Sequence, residues 1–195
     1  MSDKAVKKKQ YILDTAKKVF AEKGFKDVTM KDIVEACDIS RGGLYIYFDS
    51  TEGIFKELLQ ELTTQAPDAF SKNLDKDYSA GDLLALFLKE QKKEILNEKD
   101  NLSVAMYEYM FHTYKAGSGE ECVKNAFNES VKIIAKLIDE GVESGEFYCE
   151  DAEGAARNIM YVIEGLKIAA NTVGIKEKDI DRELLYIVGG LIVEE

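Results

Sequence analysis

The chain has no tryptophan, a single proline (Pro67) and a single histidine (His112) in 195 residues. One proline and no Pro/Gly-rich linker leave long stretches of 3.6-residue periodicity uninterrupted, which predicts an all-α fold. One histidine, with no clustered cysteines, speaks against a zinc site. His112 has Tyr109 three residues before it, where a carboxylate-bridged metal site in a helical bundle needs glutamate. The three cysteines, Cys37, Cys122 and Cys149, are odd in number and far apart, and they read as free thiols of a reducing compartment. No apolar run approaches the roughly 18 residues of a membrane span. The first ten residues, MSDKAVKKKQ, lack the apolar centre of a signal peptide, so a cytoplasmic protein without a membrane partner is expected. Phosphate-binding glycine loops (G-x-x-x-x-G-K-[ST], G-x-G-x-x-G) and the nucleophile elbow G-x-S-x-G are missing too. The paired acids Glu120-Glu121 and Glu194-Glu195 read as solvated charge. Nothing here predicts an enzyme, a catalytic residue, a metal or a cofactor.

Charge is plentiful but uneven. The net charge is −11. Residues 1–48 hold ten Lys/Arg against seven Asp/Glu, whereas 49–195 hold 16 against 30. A basic head on an acidic body confines contact with a polyanion to the head.

The stretch 29–48, TMKDIVEACDISRGGLYIYF, has the form of two short helices around a tight turn. Thr29 is a good N-cap, and Asp32 follows in the first turn, where a carboxylate suits the helix dipole. A helix over 30–36 offers Ile33, Val34 and Cys37 for burial. Asp38 tolerates the left-handed angles a turn demands. Ile39 is an apolar plug, Ser40 caps a second helix over 41–48, and Leu44 and Phe48 anchor that helix at i and i+4. This is the pattern of a helix-turn-helix, whose second helix enters the major groove. An ordinary helical hairpin would read the same way on this stretch alone.

The flanks decide between them. ILDTAKKVFAEKGF, VTMKDIVEACDIS and RGGLYIYFDSTEGIF, within 12–55, resemble the TetR (tetracycline-repressor) family of transcriptional regulators. The resemblance rests chiefly on Gly24-Phe25, Thr29, Ile33, Ile39-Ser40 and the Leu44-Tyr45-x-Tyr47-Phe48 run. Four positions depart from the family pattern. Val34 stands where a small Ala is common, Asp38 replaces a turn Gly, Gly43 replaces a Thr or Ser, and Thr51 replaces a Lys that reaches the DNA backbone. The resemblance implies DNA contact by Thr29, Lys31, Ser40, Arg41, Gly42, Gly43, Tyr45 and Tyr47. Arg41 is expected to read a base, while Ser40, Tyr45 and Tyr47 position the backbone.

Further helices are predicted over 7–23, 51–65, 80–96, 102–114, 120–143, 152–173 and 179–193, about nine in all. Thr51 is expected to cap the first helix after the head; Pro67 and the polar stretch 71–79 are expected to break the pattern. Residues 1–50 form a three-helix DNA-binding domain in this reading, and 51–195 a larger ligand-binding and dimerisation domain. The helix over 102–114 is apolar nearly all round, as if buried on most sides or lining a cavity. Methionine and aromatics make adaptable apolar walls. The candidate lining of an effector pocket is Phe87, Met106, Met110, His112, Phe127, Tyr161 and Glu164, with core packing as the plain alternative. The last two helices carry apolar and small residues on more than one face. The resemblance implies that they pair with a second copy as a four-helix bundle, and a two-fold dimer reads a pseudo-palindromic double-stranded operator. The expected function is a transcriptional regulator, a repressor released by a small apolar or amphipathic molecule. The rival is an all-α ligand-binding or protein-interaction module whose head has weak or lost DNA binding.

Overall fold

A computed structural model describes residues 3–71, 78–97, 102–117 and 121–191. Among them are nine α-helices and no strand: α1 (Asp3–Lys23), α2 (Met30–Cys37), α3 (Arg41–Tyr45), α4 (Thr51–Ser71), α5 (Ala80–Leu96), α6 (Ser103–Lys115), α7 (Glu121–Ser144), α8 (Ala152–Thr172) and α9 (Glu177–Gly189). Most helix starts follow the expected boundaries closely, but α1 begins at Asp3, four residues before the expected 7, and several ends differ. The recognition helix stops at Tyr45 instead of 48. Both Tyr47 and Phe48 N–H groups then converge on the Leu44 carbonyl, a tightened last turn. α4 passes through position 67, although an interior proline forfeits one hydrogen bond and its ring crowds the carbonyl four residues back. The cap of α4 is Ser50 rather than Thr51: Ser50 Oγ accepts from the Gly53 N–H at 3.0 Å. Most of the break at 71–79, the end of the last helix at 193, and Glu120, Glu194 and Glu195 lie outside the described residues.

The chain packs as two compact units, one of Met1–Thr63 with Glu98–Cys122, the other of Thr64–Asn97 with Val123–Glu195. Packing thus divides the chain differently from the expected division by role at 50/51, since α6 joins the first unit. The first unit is built on the apolar stripe of α1 (Ile12, Leu13, Ala16, Val19, Phe20), met by Ile33 of α2, Leu44 of α3, Ile54 and Phe55 of α4, and Tyr109 of α6, all buried. Four rings lock it: Phe55 lies 4.8 Å from Phe20, 5.2 Å from Phe25 and 5.1 Å from Tyr109 between centroids.

In the second unit α5, α7, α8 and α9 enclose a core that includes Leu84, Ile134, Ile138, Ile163 and Ile180. Gly141 leaves room for the Phe147 ring to fold back over α7, where a Cβ would overlap it. Glu146 beside that turn accepts from the Gly81 N–H at 2.9 Å and from Ser144 Oγ at 2.9 Å, capping α5 from outside. Those bonds, led by the one from Gly81, hold its carboxyl below the ordinary glutamate value. Lys92 of α5 pairs with Glu177 at 2.8 Å and Asp181 at 2.5 Å, tying α5 to α9.

Candidate nucleic-acid interface

Each turn of the helix pair is fixed by a short polar side chain. Thr29 Oγ1 accepts from the Asp32 N–H at 3.3 Å, and Asp32 accepts from the Thr29 N–H at 2.8 Å, a reciprocal capping box at the start of α2. Asp32 also takes a hydrogen bond from Lys23 Nζ at 2.5 Å, which, with the bonds from Thr29, drives its carboxyl far below the ordinary aspartate value. The box is thereby bolted to the end of α1. Asp38 has φ 49° and ψ 51°, the left-handed conformation that glycine usually supplies. Its N–H reaches the Glu35 carbonyl at 3.2 Å, and the Ile39 N–H reaches that of Val34 at 3.3 Å, closing α2. Ser40 Oγ then accepts from the Gly43 N–H at 3.1 Å and opens α3. Ile39, expected as a plug, is half-buried.

The residues expected at DNA fall in three places. Arg41, Gly42 and Tyr45 are exposed on α3, with the Arg41 guanidinium 5.5 Å from the Tyr45 ring centroid. Gly42 faces open space, whereas a Cβ on Gly43 would sit 3.1 Å from the capping Ser40 Oγ. Gly43 therefore leaves room for the cap. Thr29 and Lys31 lie at the start of α2, and Lys31 pairs with Glu35 at 3.6 Å on the exposed face. Tyr47 lines an open groove of about 750 Å³ with Lys4, Lys7, Lys8 and Tyr11. Tyr11 is held in place by its hydroxyl, which donates to the Cys37 carbonyl at 3.2 Å, and the Lys8 ammonium lies 4.9 Å from its ring centroid. The lysines at the start of α1 are thus not equivalent. Lys9 turns back to Glu57 at 2.5 Å and over the Phe48 ring, while Lys7 and Lys8 present charge beside Tyr47. Lys4 was not singled out in the sequence.

Ile46 was also passed over. It is 78% exposed in the middle of the Tyr45–Tyr47 run, the most exposed large apolar side chain of the helix-turn-helix. A helical wheel shows it: Ile46 falls opposite Leu44, on the line of Gly42.

The expected effector residues fall into both units. Met106, Met110 and His112 belong to the first, Phe87, Phe127, Tyr161 and Glu164 to the second. In the second, Phe127 stacks on Tyr161 at 5.6 Å with the rings 26° apart, Phe87 packs against the core, and Glu164 meets Lys167 at 3.5 Å. In the first, Met106 and Met110 are half-buried and His112 is exposed, its ring 5.9 Å from that of Phe25. Of the two expectations for α6, burial on most sides or the lining of a cavity, the first is corrected. Only Ser103, Ala105, Tyr109 and Thr113 are buried, while Phe111 is 62% and Tyr114 79% exposed. Tyr109 joins the aromatic knot from the one buried face of α6, and the opposite face is open. A cleft of about 640 Å³ along α7 and α8 mixes Val131 and Ala135 with Asn125, Asn128, Lys132 and Arg157, among others.

Residues 12–58 match the family described as bacterial regulatory proteins, tetR family, and residues 83–181 match the tetracyclin repressor-like C-terminal domain. The chain belongs to the TetR family of transcriptional regulators. An HTH-type transcriptional regulator of Bacillus subtilis, YfiR, is 29% identical over 141 residues, 72% of this chain and 68% of the relative. The HTH-type negative transcriptional regulator IcaR of the biofilm operon icaADBC in Staphylococcus aureus is 28% identical over 134 residues, 68% of this chain and 70% of the relative. The same TetR fold occurs in a transcriptional regulator from Saccharomonospora viridis in complex with choline, with a TM-score of 0.78 at 20% identity over 95% of this chain and 98% of that one. It occurs also in FadR from Bacillus subtilis in complex with stearoyl-CoA, with a TM-score of 0.71 at 21% identity over 93% and 98%. Among the described residues no helix is long and apolar enough to cross a membrane.

Proposed function

We propose that this TetR-family regulator is a cytoplasmic homodimeric repressor, without catalytic activity, that leaves a pseudo-palindromic operator when a small molecule binds. The division of roles follows the sequence reading, with DNA contact within 1–50 and effector binding and dimerisation within 51–195. The observation that carries the DNA half is the doubly capped α2–α3 pair, whose outer face is free and flanked by the Lys4, Lys7, Lys8 and Tyr47 groove. Lysines there meet phosphates and fix register; Arg41 and its α3 neighbours meet base edges. The groove also offsets the missing lysine at Thr51, since it supplies backbone contact from α1 instead.

Dimerisation is supported by the outer faces of α8 and α9. Tyr161 and Ile168 are exposed on α8, Leu185 and Tyr186 on α9, and Gly165 and Gly189 face open space. Large apolar side chains next to bare glycines form a surface that a second helix pair can approach closely. A relative that works as a negative regulator supports repression, neighbours that hold choline or stearoyl-CoA support a small-molecule effector, and the stearoyl-CoA complex supports an amphipathic one.

The test is selection of duplexes from a random pool by the full-length protein, followed by footprinting and sizing. Two protected half-sites with recognition helices roughly 34–36 Å apart are expected, bound by a dimer. A single asymmetric half-site, or a monomer on DNA, would overturn the reading. No sequence preference at any salt concentration would favour the rival ligand-binding module. Replacing Lys4, Lys7 and Lys8 together by alanine should weaken all duplexes alike and reduce the salt slope by about one per lost phosphate contact.

A further inference from the structure

We propose that Ile46 is a specificity-determining residue of the operator contact, reading the C5-methyl group of a thymine in the major groove. The inference rests on α3 being the reading helix. The backbone continues its helical turn past Tyr45, for Ile46 has φ −66° and ψ −30° and Phe48 N–H still reaches the Leu44 carbonyl at 3.1 Å. At about 100° per residue, Gly42 and Ile46 then stand opposite the buried Leu44, on the outermost line of the element. Gly42 has no side chain and nothing near its position. Ile46 therefore projects beside bare backbone, and its side chain is the leading edge of this face. Arg41 lies nearer the buried side and carries its guanidinium toward Tyr45.

The chemistry of the groove selects the target. Base edges there present hydrogen-bond donors and acceptors, plus one apolar group, the thymine methyl. An isoleucine pressed on a carbonyl or amino group would strip water from it and return no bond. Against the methyl it removes apolar surface of both partners from water. A β-branched side chain is stiff at χ1, so the contact is placed rather than searched for.

The experiment takes the duplex selected by the wild-type protein and replaces each thymine of one half-site in turn by deoxyuridine, which deletes the methyl and nothing else. Affinity is measured for the wild type and for Ile46→Ala, whose thermal midpoint should match the wild type because the side chain is exposed. At one thymine the wild type should lose about fourfold, the value of one buried methyl. Ile46→Ala should bind the thymine duplex more weakly and be indifferent to that replacement. If no thymine of the half-site matters to the wild type, or if Ile46→Ala keeps the same sensitivity, the assignment is wrong. Uniform weakening of all duplexes by Ile46→Ala, with the methyl effect intact, would make Ile46 a sugar–phosphate contact and also overturn it. Recovery of no preferred duplex would instead strike at the operator-reading function itself, and at this inference with it.

Discussion

Replacing Phe55 by alanine is expected to cost about 3–5 kcal/mol of folding stability. The ring is fully buried and touches three others, from α1, from the turn after α1 and from α6. Its edge-on contact with Phe20 is the closest, at 4.8 Å and 71°. Truncation leaves a cavity among rings that are pinned elsewhere, so collapse is limited and the cavity term stays large. A domain is stable by only about 5–15 kcal/mol, so this single change removes roughly a fifth or more. Denaturant unfolding reads the loss. A cost below about 1.5 kcal/mol would mean that the four rings are not one packed unit. The consequence for function is direct, because Phe55 stands four residues after the start of α4, the helix that begins in the first unit and ends in the second. At a temperature where the variant is still folded, operator affinity should fall as well, since α3 lies on the same core through Leu44.

That knot was only half legible in the sequence. Phe20 and Phe55 sit on clear helical stripes, and the capping box at Thr29 and Asp32, the left-handed Asp38 and the Ser40 cap are local signals, readable because each residue acts on a neighbour three or four positions away. Tyr109 is different. It lies among Met106, Tyr107, Met110, Phe111 and Tyr114, and composition alone cannot say which of these faces inward. The expectation of a helix buried on most sides followed from counting apolar residues, yet Phe111 and Tyr114 point to solvent in the chain. Glu108 gave no signal at all, since its partners are more than 80 residues away. Ile46 left a signal of its own: it is apolar, it is the unmatched position of the Leu44-Tyr45-x-Tyr47-Phe48 run, and it lies on the wrong side of the helix for burial. Exposed α3 residues were read there for hydrogen bonding, and methyl recognition needs none. The effector residues rest on composition and helix face, which is why they scatter over two units, while the caps of α2 and α3 fall where they are expected.

An effector that releases the operator should bind the operator-bound protein about 5–150-fold more weakly than the free protein, because coupling between two binding equilibria is reciprocal. A ligand shifts the equilibrium only by its differential affinity for the two states. The structure supplies a place where that difference can reach the reading head. Glu108 of α6 accepts from the N–H groups of Phe25 at 2.7 Å and Lys26 at 3.1 Å, in the turn that joins α1 to α2. Gly24, at φ +78°, makes the approach possible, since a Cβ there would lie 2.7 Å from the Glu108 carboxylate. Phe25 meanwhile packs edge-on against Tyr109 at 4.9 Å. A carboxylate on two amides and a ring on a ring make α6 and the turn one body, so a displacement of α6 must either carry the α1–α2 junction with it or break both hydrogen bonds. Glu108→Ala removes the polar half of that grip and Glu108→Gln keeps an acceptor oxygen. Calorimetric titration of apolar and amphipathic candidates with and without operator measures the factor; tyrosine emission is the only intrinsic alternative in a chain without tryptophan. The factor should shrink toward one in Glu108→Ala and survive in part in Glu108→Gln, with effector affinity for the free protein little changed. An unchanged factor in Glu108→Ala would mean that coupling bypasses this contact. If every tight-binding candidate binds equally well with and without operator in the wild type, small-molecule release itself is wrong, and the methionine and aromatic residues of α6 serve packing alone.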